Sequence, residues 1–364
     1  MKIGFLAWGN QAMREQGISA AAFHRIDLLR SYSESQGHET EWRWQYEFSG
    51  KGNLAWFTKR AELAAWIESC DAVYTGSTDP AAHAVTAVPS GKKVIYDCHT
   101  PAIGENWMLF LSRKTPRNFF LYLRTLLHES LASKRSRVIT TVSDSAIHYF
   151  ANRFNRKNED LFLVRNPVNF EALKPTSMPS SERSKFAYVG GMDRWQGIPD
   201  LIEAYERSSK SFDLTITGFD DSTEALRVRA EQAGIQANKR MARTDALRVF
   251  ETAHFGVTAT PKVCAVHMPG AFPTKWAEYL ALGRAVAVTR AYDCATLTDD
   301  LRCGVVMEAG PTGIREGLEK AAGIPVEKRQ AMADRGLKWV RDHCSIEVAG
   351  DSFLKAANKA NQNP

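Results

Sequence analysis

The chain has 364 residues, of which 44% are hydrophobic and 24% are charged, and its formal net charge is +6. This length predicts two domains, and the composition is that of an ordinary globular protein, which excludes disordered and collagen-like classes. The small positive charge does not favour nucleic acid as a partner. No apolar run is long enough to span a membrane, and residues 1–9 predict a buried strand rather than a signal peptide, so we expect a cytoplasmic protein.

Strands and helices are predicted to alternate through the first half of the chain. The predicted strands are 2–8, 40–44, 72–74, 93–97, 138–142 and 161–164; the predicted helices are 19–32, 54–68, 80–88, 116–133 and one that starts at Ser145. A loop, 9–17, follows the first strand, and Ser19 is the predicted N-cap of the first helix. Such alternation predicts a parallel sheet covered by helices on both faces, with ligands at the carboxyl ends of the strands.

Residues 172–184 have the composition of a linker, and a second alternating unit follows them. Its predicted strands are 186–189, 212–217, 235–239, 255–259 and 285–288; its helices are 199–208, 223–233, 244–252 and 273–283, with a mostly helical tail over 326–361. We therefore predict three parts: a Rossmann-like domain over 1–175, a second Rossmann-like domain over 176–340, and a tail, 341–364, that returns to the first domain.

The stretch 272–283 has the pattern of an anion site. Pro273 can start a helix without its N–H, and Gly283 can end one. Thr274 and Lys275 fall in the first turn, where free N–H groups already favour an anion, and Glu278 lies one turn further on. A cation here indicates a phosphate, and the carboxylate is placed to accept hydrogen bonds from sugar hydroxyls. The alternative is a solvated, salt-bridged helix face.

Three segments together resemble the retaining glycosyltransferases of family 4, which have the GT-B fold. They are 189–202 with its Gly190-Gly191 turn, 273–286, and the run 165–169 that contains Asn166. The resemblance is strongest over 130–345. It implies two Rossmann-like domains that face each other across a cleft, with a C-terminal helix packed back on the N-terminal domain.

The resemblance also implies an activity. A sugar would pass, with retention, from a nucleoside diphosphate sugar bound by the second domain to a hydroxyl acceptor bound by the first, in the assembly of polysaccharide, lipopolysaccharide or another glycoconjugate. The leaving phosphate would itself take the acceptor proton. Family members need no metal ion or other cofactor, and this chain has no D-x-D triplet. Glu278 is assigned to the ribose hydroxyls and Lys275 to the diphosphate.

The remaining candidate residues lie in loops that follow strands. His99 follows the strand 93–97 and is a candidate catalytic residue beside Lys275 and Arg194, although a structural histidine is the alternative. The backbone of the first loop, between Gly9 and Gly17, either approaches the donor phosphate or acceptor closely or forms an ordinary flexible turn. Arg194 is either a cation that meets the diphosphate or a solvated side chain. The candidate donor-binding residues are Gly9, Gly17, Gly190, Gly191, Gly218, Thr274, Lys275 and Glu278.

The chain departs from the family pattern at three positions. Many members carry Arg where this chain has Gly191, Lys where it has Gln196, and an acid where it has Gly270. Arg194 and Lys275 are then the cations available to the diphosphate. Two alternatives stay open: an inactive nucleotide-sugar-binding partner protein, or another GT-B enzyme such as a sugar-nucleotide epimerase.

Two further patterns concern the acceptor domain. The aromatic residues Trp42, Trp44, Tyr46, Phe48, Trp56 and Phe57 are either core residues or an acceptor platform. The segment 113–137 holds seven basic residues and one acid, Glu129, around an apolar run. It is either a buried helix with basic ends or a peripheral contact with anionic lipid at the inner face of the membrane, which would suit a lipid-linked acceptor.

The six cysteines show no C-x-x-C spacing. They are Cys70, Cys98, Cys264, Cys294, Cys303 and Cys344. Scattered through apolar segments, they are predicted to be reduced core residues rather than metal ligands or disulfides.

Overall fold

The computed structural model describes residues 1–15, 20–49 and 59–362, without the side chains of 20 and 21. These residues form two compact units. The first contains Met1–Pro167, His267–Phe272 and Ile346–Pro364; the second contains Val168–Val266 and Pro273–Ser345. The first segment of the first unit ends at Pro167, and the predicted linker 172–184 belongs to the second unit.

The first unit is built on a six-stranded, fully parallel sheet. Its elements before residue 168 are β1 Lys2–Ala7, α1 Gln11–Glu15, α2 Ala20–Ser35, β2 Glu39–Trp44, α3 Gln45–Phe48, α4 Arg60–Glu68, β3 Ala72–Thr75, α5 Thr78–Ala87, β4 Val94–Cys98, α6 Ala102–Arg113, α7 Pro116–Arg135, β5 Val138–Thr141, α8 Asp144–Phe154 and β6 Leu161–Leu163. The sheet order is β2-β1-β3-β4-β5-β6. The order reverses between β1 and β3, and ligands bind at such a reversal in open α/β sheets.

The second unit has its own six-stranded parallel sheet. Its elements are β7 Lys185–Val189, α9 Ile198–Glu206, β8 Asp213–Phe219, α10 Glu224–Gln232, β9 Gln236–Lys239, α11 Arg243–Leu247, β10 Phe255–Thr258, α12 Lys262–His267, α13 Thr274–Ala281, β11 Ala285–Thr289, α14 Asp293–Leu301, β12 Gly304–Met307, α15 Pro311–Ala322 and α16 Val326–Cys344, of which only His267 is assigned to the first unit. The order is β12-β11-β10-β7-β8-β9, so the reversal lies between β7 and β10.

The sequences of the strands suit buried parallel sheets, and a glycine allows one strand to pack closely against a helix. β4 and β11 are buried along their whole length, and apart from Asp97 in β4 and Thr289 in β11 they are apolar, as parallel strands covered on both faces are. Gly256 in β10 is required because a Cβ there would lie 2.1 Å from the Tyr279 ring of α13. Two Rossmann-like halves, as predicted, are therefore confirmed.

The last helix, α17 Ile346–Asn361, packs on the first sheet. Phe353, Ala356 and Ala357 are buried in the core that includes Phe5 and Tyr74. Tyr32 Oη donates to Asp351 at 2.5 Å. The predicted return of a C-terminal helix to the first domain is confirmed for α17, whereas α16 belongs to the second unit.

Several sequence expectations need correction. The first loop contains the short helix α1, and α6 was not predicted. Gly104 in the first turn of α6 lowers helix propensity, but a Cβ there would lie 1.4 Å from the His267 carbonyl oxygen, so this close approach requires glycine. Ser19 and residues 54–58 of the predicted helix 54–68 lie outside the described residues.

The remaining structural expectations concern burial. All six cysteines are buried, and none of them forms a disulfide with another described residue. Phe48 is buried, and Trp42 and Trp44 pack against the first core, which favours the core interpretation of the aromatic cluster; Trp56 and Phe57 lie outside the described residues. In the described part of the chain no helix is long and apolar enough to cross a membrane.

Candidate functional site

Hydrogen bonds from two buried aromatic side chains fix the position of helix α13 at the carboxyl end of β7. Tyr279 Oη accepts from Val189 N at 3.1 Å and donates to Val189 O at 3.2 Å. Trp276 Nε1 donates to Thr298 Oγ1 at 2.9 Å. These buried anchors place the first turn of α13, with Lys275, beside the Gly190-Gly191 turn at the sheet reversal.

The Lys275 ammonium is held by three groups of the β7 strand and turn. Its Nζ donates to Gln196 Oε1 at 2.6 Å and to Tyr188 Oη at 2.9 Å, and lies 4.4 Å from the centre of the Tyr188 ring. Tyr188 Oη in turn donates to Gly191 O at 2.5 Å. Burial lowers the pKa of Lys275 to about 8, although Glu278 and Asp193 oppose the shift.

Glycines make room for this cation. A Cβ at Gly190 would lie 2.7 Å from Lys275 Nζ. A Cβ at Gly218, the next strand's glycine, would lie 1.9 Å from the Gly190 carbonyl oxygen. Both positions therefore need glycine, and together they hold the Gly190-Gly191 backbone close to the ammonium.

Glu278 lies one turn further along α13 and is 8% exposed. Its Oε1 accepts from Arg243 Nη2 at 2.7 Å. Arg243 is at the start of α11, with about half of its side chain in solvent. This partner could not be predicted, because nothing local connects residue 243 to residue 278.

Three other predicted site residues lie in the same region: the donor-binding candidates Thr274 and Gly191 and the catalytic candidate Arg194. Thr274 is the first residue of α13, and neither it nor Lys275 is part of a side-chain cap. Gly191 is exposed, and a Cβ there would lie 3.1 Å from Asp193 Oδ2. Arg194 begins a short 3-10 helix, 194–196, and its exposed side chain makes no hydrogen bond or ion pair with a described residue. It is therefore open to a ligand.

In the first unit, Asp97 is the centre of a buried polar network. It accepts from Arg25 Nε and Nη2 at 3.1 and 2.9 Å, from Tyr74 Oη at 2.6 Å, and from Thr140 Oγ1 at 2.5 Å. Burial alone would raise the pKa of Asp97, but Arg25 and His99 lower it well below its usual range. Arg25 also donates to the carbonyls of Val164 and Arg165 and so joins β4 to the end of β6.

His99 lies at the carboxyl end of β4, as predicted. Its Nε2 contacts Asp97 Oδ2, and 28% of its side chain is exposed. His99 borders a cavity of about 320 Å³. Trp8 and Gly76, which follow β1 and β3, also line the cavity, so it occupies the sheet reversal of the first unit.

The cavity has a second polar group that the sequence did not indicate. Asp79, on α5, contacts His128 Nδ1 at 2.7 Å and accepts from Arg124 Nη2 at 3.0 Å. Burial opposes ionisation of Asp79, but His128 and Arg124 lower its pKa. Hydroxyl groups bound in this cavity would therefore meet a carboxylate as acceptor.

The two predicted glycines of the first loop have different outcomes. Gly9 adopts φ +83°, and its carbonyl accepts from Tyr46 N at 3.2 Å. It belongs to the first unit, whereas Lys275 and Glu278 belong to the second. Gly17 lies outside the described residues.

Close packing explains why this chain has a glycine at position 270. Gly270 adopts φ +81°, and a Cβ there would lie 2.4 to 2.5 Å from Ala146 at the start of α8. The Gly270 carbonyl accepts from Ser143 Oγ at 2.6 Å. The Ser143 hydroxyl oxygen also caps α8 by accepting from Ala146 N at 3.1 Å. Asn166 Nδ2 also donates to Phe272 O at 3.0 Å, which is a side-chain to backbone bond of the kind predicted. Residue 270 is therefore a packing position.

No group of three or more His, Cys, Asp and Glu side chains in 1–15, 20–49 or 59–362 could hold a metal ion.

Comparison with solved structures identifies the fold. A glycosyltransferase from Rickettsia africae ESF-5 matches with a TM-score of 0.72 and 13% identity over 100% of both chains. Anabaena Alr3699/HepE, in complex with UDP and glucose, matches with a TM-score of 0.71 and 14% identity over 98% of this chain and 99% of that chain. WaaG, a glycosyltransferase involved in lipopolysaccharide biosynthesis, matches with a TM-score of 0.63 and 16% identity over 96% and 98%.

The protein therefore has the GT-B fold of these glycosyltransferases. No protein-family model matches the chain, and no curated protein sequence matches it significantly.

Proposed function

We propose that this protein is a retaining glycosyltransferase that moves a sugar from a nucleoside diphosphate sugar to a hydroxyl acceptor. The observation that carries the proposal is the Lys275 ammonium, which lies against the Gly190-Gly191 turn at the sheet reversal of the second unit. Glu278 lies one turn away on the same helix. This pairing suits a diphosphate next to a ribose.

The donor is a nucleoside diphosphate sugar, and UDP is the first nucleotide to test. Alr3699/HepE, which shares the fold, has been solved with UDP-glucose. In this proposal Glu278 binds the ribose hydroxyls once Arg243 shifts aside or turns to the ligand. Lys275, Arg194 and the N-terminus of α13 meet the diphosphate.

The transfer itself conserves the configuration at the anomeric carbon. The bond from that carbon to the diphosphate oxygen breaks, and the acceptor oxygen bonds to the same face. The acceptor proton passes to the leaving phosphate oxygen, which carries the electron pair away. Lys275 and Arg194 stabilise the developing negative charge, and this kind of stabilisation is often the largest catalytic contribution. The proposal uses no metal ion.

The acceptor is assigned to the cavity of the first unit. His99 and Asp79 at its wall can bind hydroxyl groups. His99 keeps its catalytic assignment as a group that touches the substrate. Because WaaG, of the same fold, takes part in lipopolysaccharide biosynthesis, we propose a role in glycoconjugate assembly on the cytoplasmic side of the membrane.

The test combines binding and turnover. Calorimetric titration with UDP, and nucleotide release from a panel of UDP-, GDP- and ADP-sugars, should identify the donor. Lys275→Ala and Glu278→Ala should each weaken UDP binding roughly 10- to 100-fold, since each removes a charged hydrogen-bonding group. Lys328→Ala and Glu327→Ala, at exposed positions on α16, are the matched controls.

Each outcome separates the proposal from its rivals. Turnover that survives both substitutions unchanged would contradict the site assignment. UDP binding without turnover, whatever acceptor is offered, would favour an inactive binding protein, which the packing role of Gly270 also favours. A changed sugar nucleotide in the absence of an acceptor would indicate an epimerase.

A further inference from the structure

Helices α6 and α7 form an antiparallel hairpin with a two-residue connection. Lys114 ends α6 in the left-handed conformation, and Thr115 caps α7 by accepting from Asn118 N at 3.2 Å. The two helices meet through aromatic pairs: Trp107 with Tyr122, 5.0 Å between ring centres, and Phe110 with Phe119, 5.4 Å. This packing fixes which face of α7 turns outward.

The outward face of the hairpin is apolar and exposed. Phe120 is 61% exposed, Leu123 42% and Leu127 58%, and their i, i+3, i+7 spacing places them on one stripe of α7. Leu111 and Phe119 are exposed beside them. Five of the ten exposed large apolar side chains among the described residues thus lie within 111–127. Such a concentration marks an interaction surface.

Cations flank this stripe at both ends. Arg113, Lys114 and Arg117 are exposed at the hairpin tip, and Lys134 and Arg135 are exposed at the far end of α7. These five make no ion pair with a described residue. The sequence 106–128 contains no Asp or Glu. Arg124 does not contribute, because it faces inward to Asp79.

The charge pattern decides between partners. An apolar stripe bounded by unpaired cations matches an anionic lipid surface, where the cations meet headgroups and the apolar side chains enter the acyl boundary. A two-fold contact with a second copy would instead bring like charges together. We propose that the α6–α7 hairpin is a docking surface for membranes that contain anionic phospholipid.

The inner side of the same hairpin forms part of the wall of the first-unit cavity. Asn106 of α6 and Leu121 and Thr125 of α7 line the first-unit cavity. A helix is about 10 Å across, so a docked hairpin brings the cavity within one helix thickness of the headgroups. If the cavity binds the acceptor, as the proposed function has it, that acceptor is carried by a lipid. The docking itself does not depend on the proposed function.

Vesicle sedimentation of the full chain tests docking without any activity measurement. The protein should bind vesicles of phosphatidylcholine with phosphatidylglycerol, bind much less to phosphatidylcholine alone, and be released by high salt. Arg113→Gln/Lys114→Gln/Arg117→Gln should weaken binding to anionic vesicles roughly a hundredfold, since each surface cation contributes about a factor of five.

Matched variants separate the hairpin from general charge and hydrophobicity. Lys174→Gln/Lys328→Gln/Lys355→Gln removes three exposed cations elsewhere, so both triple variants fall from +6 to +3 (6 − 3 = 3). Phe120→Ser/Leu127→Ser should weaken binding at least about tenfold. Val228→Ser/Val348→Ser, at exposed valines on α10 and α17, should not. Circular dichroism melting confirms that each variant is folded.

Three results would overturn the proposal. The first is no binding of the wild-type chain to anionic vesicles. The second is equal weakening by the hairpin and control triple variants. The third is a change of oligomeric state in Phe120→Ser/Leu127→Ser, measured by analytical ultracentrifugation, without a change in vesicle binding; this would assign the stripe to a contact between copies. Failure of nucleotide release alone would leave docking intact and contradict only the proposed function.

Discussion

At the scale of single residues, Lys275 shows what local sequence can and cannot predict. A cation in the first turn after Pro273 is a local pattern, and Glu278 follows at helical spacing, so both could be predicted as candidates. Tyr188, Gln196 and Arg243 could not, because their contacts with α13 join residues 35 to 87 positions apart. Gln196 carries no charge, yet its side-chain oxygen accepts a hydrogen bond from the Lys275 ammonium.

The lowered pKa of Lys275 predicts a pH dependence of nucleotide binding. The charged form, present below about pH 8, attracts the diphosphate, and the neutral amine that forms above it does not. UDP affinity should therefore fall as the pH rises through about 8. Calorimetry at several pH values measures this. Lys275→Met should bind weakly with a flat profile; the same profile in both proteins would exclude Lys275 as the titrating group.

Asp97 predicts a large effect of a nearly isosteric change. Asp97→Asn leaves Arg25 buried without its counter-charge, which should cost roughly 3 to 5 kcal/mol in the free energy of unfolding. Urea unfolding followed by fluorescence measures it. Glu39→Gln, at an exposed position on β2, is the control and should change stability little.

The lowered pKa of Asp97 also predicts how its contribution to stability changes in acid. The pKa of Asp97 is lower in the folded chain than in the unfolded chain, so its contribution is present above the unfolded value of about 3.9 and is lost as the pH falls below it. The stability difference between wild type and Asp97→Asn should therefore shrink in acid. A difference that stays constant down to about pH 2 would mean that the carboxylate does not provide the stabilisation.

At the scale of elements, prediction succeeded where the signal was local. The buried runs of β4 and β11 and the alternation of strands with helices indicated parallel sheets, and the structure confirms them. Prediction failed for α6, because the reason for Gly104 is the carbonyl of His267, 163 positions away in the chain. Such contacts leave no pattern in the neighbouring sequence.

Helix α17 is the element most open to a stability test. Phe353 is fully buried between Phe5 and Tyr74, with ring centres 5.8 and 5.7 Å away. Phe353→Ala should lower the unfolding free energy of the first unit by roughly 3 to 5 kcal/mol through lost burial and a cavity. Val348→Ala, on the exposed face of the same helix, should change it by less than about 0.5 kcal/mol. Equal effects in chemical denaturation would show that α17 does not support the core.

At the scale of the whole molecule, the chain forms two units that each contain a sheet and a core. The tandem α/β pattern predicted this number of domains. It could not predict that 267–272 belongs to the first unit, since membership depends on contacts with α6 and α8 rather than on composition.

This division predicts where a nucleotide stabilises the protein. UDP at about 100 times its dissociation constant should stabilise the unit that binds it by roughly 2.7 kcal/mol. Hydrogen exchange with mass spectrometry should show protection over 186–197 and 274–279 in the second unit. Protection confined to the cavity residues of the first unit would contradict the donor assignment.

The packing of Gly270 has a consequence for engineering. Its left-handed backbone and the nearby Ala146 leave no space for a side chain, so Gly270→Glu, which would introduce an acid at this position, is sterically blocked while α8 keeps its place. The effect of that substitution thus depends on residues 143 and 146. This dependence is epistasis, and its cause is the direct contact of Gly270 with both residues. A redesign of the residue 270 position has to begin at the start of α8.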